Sequence, residues 1–368
     1  MNLSQARILH IELGGRRLGG SMQAFYLLRE MSRAGYHTAL VCAQGSPLDR
    51  MCEADGLGRF PVRFHGDTDL SLIFKLRAIY HDFRPDLIHI HSRKGADTLG
   101  ALAARLFSDA TVIIARRVDD PLKRGLFNRL RFGWLCDHVV AVSRGIVAEL
   151  VKGGVDKAKI SQVYSAIQAT DYQVVADPSG VREELGIPAG ARVVAVIAQL
   201  IRRKGHRFLF QAAPAILAAH PHTCFLVLGE GELQADLEQQ VVGLGIAGNV
   251  VFAGYRNDIG RLFNAIDLLV HPATREGFAN VAMQAMAAGV PVVSSDVGGM
   301  SESVRDGVSG LLVPPGDAAA LAAAVNRLLA DEGLCRELGH NGRHIVEREF
   351  TVEAMVKGNL KVYDKLLA

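Results

Sequence analysis

The chain has 368 residues, 49% of them hydrophobic and 21% charged, with 41 Lys+Arg against 38 Asp+Glu; this length suggests two or three domains with real cores, and the composition excludes wholesale disorder. There is no run of about 18 apolar residues to cross a membrane, MNLSQARILHIEL lacks a signal-peptide pattern, and the five cysteines (42, 52, 136, 224 and 335) form no CxxC pair, which argues against a disulfide framework and for buried thiols in a reducing cytoplasm. The charge is uneven: residues 1–170 carry 24 Lys+Arg and 16 Asp+Glu, net +8, whereas residues 171–368 carry 17 and 22, net −5, so the two halves are expected to meet different partners.

In chain order, ARILHIEL reads as a strand, followed by the glycine-rich turn LGGRRLGGS, the helix SMQAFYLLREMSRAG and the strand HTALVCA. DLIHIHS, TVIIAR and HVVAVS are further strands, and ADTLGALAARLF is a helix between the first two of them. Nearly continuous apolar strands belong to a parallel sheet covered on both faces, and their alternation with helices is the βαβ pattern of a doubly wound sheet. The pattern weakens at ATDYQVVADPSGVREELGIPAGA, which reads as a linker. It resumes with the strands VVAVIAQL, TCFLVLGE, NVVFAGY, DLLVHPA and VPVVSSD, alternating with helices such as HRFLFQAAPAILAAH and FANVAMQAMAAG. The expected architecture is α/β: two Rossmann-like domains, 1–172 and 173–349, whose parallel sheets face a central cleft with ligands at the strand carboxyl ends.

Three segments carry candidate chemistry. Gly14, Gly15, Gly19 and Gly20 let backbone N–H groups approach an anion at a helix start, but the spacing is not GxGxxG and gives a dinucleotide little support. In IRRKGH, Lys204 with Arg202 and Arg203 at a strand-to-helix turn suits a diphosphate, and equally suits a solvated basic turn. In REGFANVAMQAMAAGVPVVSSDVGG, Glu276 precedes a helix start and Gln284 follows eight residues later, about 12 Å along one helix, so the pair can hold two ends of a long ligand. His89 and His91 lie two apart on one strand face, as metal ligands can, but no third ligand has diagnostic spacing and no metal is expected.

Taken together these segments resemble the retaining GT-B glycosyltransferases of family four. That family's pattern is a Glu, seven residues, a second Glu, then AMAAG-P-VV and a GG turn. The likeness runs along nearly the whole chain, through the GGS turn, DLIHIHS, VVAVS, the RKG turn, LVLGEGE, VVFAGY, HPATREGF and DGVSGLLVPPGD. The resemblance implies transfer of a sugar from a nucleotide-diphosphate donor to an acceptor hydroxyl with retained configuration; lysine, arginine and helix N-termini supply the charge a leaving diphosphate needs, so no cofactor or metal is expected, and the basic first half points to bacterial cell-envelope glycan or lipopolysaccharide biosynthesis. The resemblance also implies that Gly19 and Gly20 contact phosphate, that His91 faces the donor sugar, that Lys204 binds the diphosphate, that Glu276 holds the transferred sugar and that Gln284 meets the ribose. Phe278, Ala279 and Asn280 match the backbone run near sugar and phosphates, and Gly231 with Tyr255 and Arg256 falls where the nucleobase would be cradled. The terminal helix, 350–368, is expected to cross back to the first domain. The chain departs from the family at Gln199, where an arginine is usual and Arg202 or Arg203 would substitute, at Ser165-Ala166 in place of Asn-Gly, and at Gln284, an amide in place of a carboxylate. These departures leave a nonenzymatic scaffold as one alternative; a nucleotide-sugar epimerase, which shares the two-domain architecture but should lack the Glu276 segment, is another.

The acceptor is expected to be anionic or lipid-linked and to bind the first domain. ARRVDDPLKRGLFNRLRFGW carries Arg116, Arg117, Lys123, Arg124, Arg129 and Arg131, with Leu122, Leu126, Phe127, Leu130 and Trp134 at helical spacing. One reading is a basic amphipathic helix on anionic lipid at the inner face of the cell membrane. The other is an apolar stripe packed on the domain's own sheet with solvated arginines. A cytoplasmic, peripherally attached protein with no nucleic-acid partner is the expectation.

Overall fold

Strands that are apolar on both faces must be covered on both faces, and the helices between them do that covering. The computed structural model describes residues 2–15, 19–66, 68–91, 96–118, 121–122, 125–172 and 178–368. By its contacts the chain divides into two units, Met1–Ala166 with Val352–Ala368, and Ile167–Thr351.

The first unit holds β1 (Arg7–Glu12), β2 (His37–Ala43), β3 (Arg59–Val62), β4 (Leu87–Ile90), β5 (Thr111–Arg116), β6 (His138–Ala141) and β7 (Ile160–Gln162). They form one sheet in the order β3-β2-β1-β4-β5-β6-β7, paired in parallel. β4 and β6 are buried along their whole length. Ile8, Leu28, Leu40, Ile113 and Val140 share a core with Met355, Val362 and Tyr363 of the terminal helix Val352–Leu367. That helix therefore buries its apolar face in the first unit.

The second unit holds β8 (Arg192–Ile197), β9 (Thr223–Leu228), β10 (Val250–Phe252), β11 (Leu268–His271), β12 (Val292–Ser295) and β13 (Gly310–Val313). Their order is β10-β9-β8-β11-β12-β13, again parallel. Val194, Val196, Phe210, Phe225, Val227, Leu268 and Val293 fill the core. Four cysteines are buried and Cys335 is half-buried, all as free thiols.

Two expectations are corrected. The segment 115–134 is not one amphipathic helix: Thr111–Arg116 is a central strand, and among the described residues helix appears only at Leu126–Arg129, continuing as a π-helical turn over Leu130–Trp134. Nor do Glu276 and Gln284 share a helix, which begins only at Asn280, after an extended Ala279.

The strand order reverses in the middle of each sheet, between β1 and β4 and between β8 and β11. Chain leaving neighbouring strands in opposite directions opens a crevice at their carboxyl ends, where ligands of such sheets bind.

Candidate active site

The crevice of the second unit is built by the loops after β8 and β11. The first makes a tight turn over Arg202–Lys204 and then Gly205, whose φ of 73° is left-handed. A Cβ on Gly205 would lie 1.9 Å from the Pro272 carbonyl oxygen, so only glycine lets the two loops touch. The contact is closed by the Thr274 N–H, which donates to the Arg203 carbonyl at 2.8 Å.

This seam carries Lys204 onto Glu276, residues 72 apart in sequence: the ammonium donates to Oε2 of the carboxylate. The same oxygen lies 3.1 Å from His271 Nε2 and 3.9 Å from an Arg203 nitrogen. Glu276 is only 7% exposed. Burial pushes its carboxyl up, but the Lys204 ammonium and the His271 hydrogen bond outweigh that and hold it well below the usual range. Burial pushes His271 down, with Glu276 pulling the other way and Lys204 adding to the depression. A neutral His271 therefore gives its Nε2 hydrogen to the carboxylate. Beside this group, His206 opens the helix His206–Ala219 and is buried, which lowers it to about 4.

After Glu276 the chain runs through buried Phe278 and Ala279 to the helix Asn280–Ala287, whose first turn no side chain caps. The Phe278 ring meets Phe350 edge-on at 5.5 Å. Gln284 donates from Nε2 to the Tyr172 hydroxyl at 2.7 Å. Gly231 lies so close to the Leu200 backbone that a Cβ would be 2.4 Å from its oxygen. Tyr255 is exposed, and Arg256 is committed to Asp258 and Glu184. Arg202 is exposed.

Thus Lys204, Arg203 and Glu276 come together, and His271 joins them. HPATREGF contained that histidine five residues before the glutamate, but spacing alone does not say that a strand end and its loop fold back on each other.

In the first unit, Gly19 and Gly20 begin the helix Gly19–Arg33. Gly20 packs on the Arg117 side chain, 3.5 Å from a built Cβ. His91 follows β4 and is buried, with both ring nitrogens held by its own unit: Nδ1 lies 3.0 Å from Arg117 Nη2 and Nε2 lies 3.0 Å from His10 Nδ1.

Of the basic residues expected on an exposed face, three of the four that are described turn inward. Arg116 is buried at the end of β5, and Arg117 reaches His91. Arg131 pairs with buried Asp97 and lies over the Phe132 ring. An arginine carried inside must meet a carboxylate or a bare nitrogen there, because leaving its charge buried without a partner is costly. Arg129 is exposed, with Leu130 and Trp134. Lys123 and Arg124 lie outside the described residues.

Two family models match in series: Glycosyltransferase Family 4 over residues 19–170 and Glycosyl transferases group 1 over residues 180–345. The lipopolysaccharide core biosynthesis glycosyltransferase LpsE of Rhizobium meliloti is 31% identical over 74% of this chain and 77% of its own length. The capsular polysaccharide biosynthesis glycosyltransferase CapM of Staphylococcus aureus is 31% identical over 82% of each. The crystal structure of Anabaena Alr3699/HepE in complex with UDP-glucose matches with a TM-score of 0.86 at 23% identity, over 98% of this chain and 100% of that one. The two parallel doubly wound units are those of the GT-B fold, and the chain belongs to the group 1 glycosyl transferases of glycosyltransferase family 4.

Proposed function

We propose that this glycosyltransferase moves a sugar from a nucleoside diphosphate sugar to a hydroxyl of a cell-envelope glycan acceptor, with retention at the anomeric carbon. The observation that carries this reading is the Lys204–Glu276–His271 group at the crevice of the second sheet. A lysine ammonium already paired with a buried carboxylate is matched to an anion, and a donor diphosphate is the stronger competitor for it. Once Lys204 turns to the diphosphate, Glu276 remains a carboxylate oriented by His271 and able to accept hydrogen bonds from sugar hydroxyls.

The reaction then breaks the bond between the anomeric carbon and the diphosphate oxygen and forms one to the acceptor oxygen on the same face. The acceptor proton passes to the departing diphosphate. Lys204, Arg203 and the uncapped helix turn at Asn280 meet the charge that develops on the leaving group, so the reading requires no metal. UDP-glucose bound in the Anabaena neighbour supports a nucleoside diphosphate sugar, and the names of LpsE and CapM support an envelope glycan acceptor. Peripheral attachment at the inner membrane face rests on exposed Arg129, Leu130 and Trp134; no helix among the described residues is long and apolar enough to cross a membrane.

A panel of nucleotide sugars tests the reading. One donor should raise the melting temperature and be consumed in the presence of a truncated envelope glycan; binding of none would sink it. Vesicle sedimentation tests attachment: binding to anionic vesicles should fall with salt and with Arg129→Ser, and equal binding to neutral vesicles would count against it.

A further inference from the structure

The carboxyl ends of β1 and β4 hold a buried imidazole cluster for which the family resemblance supplies no account beyond His91. His10, His89 and His91 are 0%, 1% and 4% exposed. Strand register brings them together: His10 lies opposite His89 in the parallel pair, and His91, two residues on, shares its face. The His89 and His91 ring centroids are 4.0 Å apart. His89 Nδ1 lies 2.6 Å from the hydroxyl of Tyr363 on the terminal helix.

We propose that Arg117 and His10 are positioning residues that hold His91 as a neutral imidazole with its one ring hydrogen on Nε2. Hydrogen accounting leads there. A guanidinium only donates, so at 3.0 Å from Arg117 Nη2 the Nδ1 of His91 must be the bare acceptor. The neutral ring then carries its hydrogen on Nε2 and donates it to His10 Nδ1, 3.0 Å away. His10 in turn carries its own hydrogen on Nε2. Charging His91 would add a hydrogen at Nδ1, donor against donor with the guanidinium.

The groups facing the cluster agree. His10 and His89 surround the ring, Arg117 adds a positive charge, Glu12 offsets part of that charge, and Tyr363 and His138 lie beside His89. Burial first, then His10 and Arg117, hold His89 and His91 well below the usual histidine range. The same accounting opposes a metal, although one nitrogen from each of the three rings lies within 4.8 Å of the others. A cation on His91 Nε2 would drive the hydrogen to Nδ1, against Arg117.

The consequence for catalysis rests on the proposed function together with the expectation, implied by the family resemblance, that His91 faces the donor sugar: a ring that cannot charge keeps one hydrogen-bonding pattern as pH changes. The test uses the full chain labelled with 15N-histidine and read by two-bond proton–nitrogen spectra, with His91 assigned from its loss in His91→Gln. The expected His91 signature is a protonated Nε2 and a bare Nδ1, unchanged from about pH 5 to 8. Arg117→Leu should spread the hydrogen over both nitrogens and let the ring titrate; Arg117→Lys, which keeps a donor, should preserve the order and serves if the leucine variant does not fold.

His10→Leu removes the acceptor for the Nε2 hydrogen and should lower kcat about tenfold, the effect of one lost buried hydrogen bond, with little change in donor KM. His10→Asn, whose Oδ1 can replace Nδ1, should recover most of it. A hydrogen on Nδ1 of wild-type His91, an unchanged signature in Arg117→Leu, or equal kcat in the two His10 variants would overturn the proposal. If the wild-type chain transfers no sugar from any donor while the His91 signature is as expected, the proposed function fails and the hydrogen order stands.

Discussion

The two crevices sit at equivalent places in two similar sheets and have solved the problem of buried polar groups in opposite ways. In the second unit, Lys204 and Glu276 keep their charges by meeting each other. In the first unit, His10, His89 and His91 lose theirs to burial, and Arg117 presses the same way on His89 and His91. A buried charge persists only with a partner, whereas an imidazole escapes the cost by giving up its proton. A crevice that keeps an ion pair can exchange one partner for an incoming anion. The neutral rings of the first crevice offer only directed hydrogen bonds, and the Arg117 charge beside them is already turned to His91.

The sharpest way to break this comparison is to remove one charge. Glu276→Ala should reduce kcat/KM about a thousandfold, on the scale of a lost electrostatic contact to the reacting group. A melting curve should show the fold retained; near-normal transfer would remove Glu276 from the chemistry. Gly205→Ala attacks the seam instead of the charge. A methyl 1.9 Å from the Pro272 oxygen must push the loops apart, and displacing Lys204 by about 1 Å should cost on the order of a hundredfold in rate. An unimpaired variant would show that the contact does not position the lysine.

Acid should separate the two units next. Glu276 is held below its ordinary 4.5 in the folded state, so its contribution is complete above about that pH and is lost as pH falls through the depressed value. The histidines work from a higher pH. Their folded values lie below 6.5, down to about 3 for His10, so the unfolded chain takes up protons first and stability falls as pH drops below 6.5, by roughly 1.4 kcal/mol per pH unit for each ring kept neutral. The second unit has His206 and His271 in this class, and the first has His10, His89, His91 and His138. Hydrogen exchange between pH 7 and 5 should therefore show the first unit losing protection before the second; the reverse order would contradict the assignment of neutral rings.

The remaining effects are small. Gln284→Glu should preserve or tighten donor binding, because a carboxylate at that place can accept from ribose hydroxyls and also from the Tyr172 hydroxyl that now accepts from Gln284. Loss of binding, measured by calorimetry, would mean the ribose lies elsewhere. Treatment with EDTA should leave transfer unchanged if cationic side chains meet the leaving group; activity lost and then restored by magnesium would refute that.

Much of this was legible in the sequence, and the reasons differ by residue. The central strands announce themselves as apolar runs because both faces are covered. β3 and β7 do not, because their short sequences RFPV and ISQ carry no continuous apolar run. The +8 half suggested an exposed basic face, yet Arg117 and Arg131 turn inward to groups that no local pattern reveals. Composition counts charges and does not say which are already paired.

By itself the sequence determined two doubly wound halves and, through its resemblance to a family, the roles that Lys204 and Glu276 are expected to play. Tertiary structure alone decided who touches whom. It seated Glu276 between Lys204 and His271, set Gln284 against Tyr172, and aligned Arg117, His91 and His10 into one chain of hydrogen bonds. The physical reason is that periodicity reports only which face a residue occupies along its own strand or helix. Neighbours in a parallel sheet come from distant parts of the chain, 81 residues apart for His10 and His91, and burial decides protonation only once those neighbours are in place.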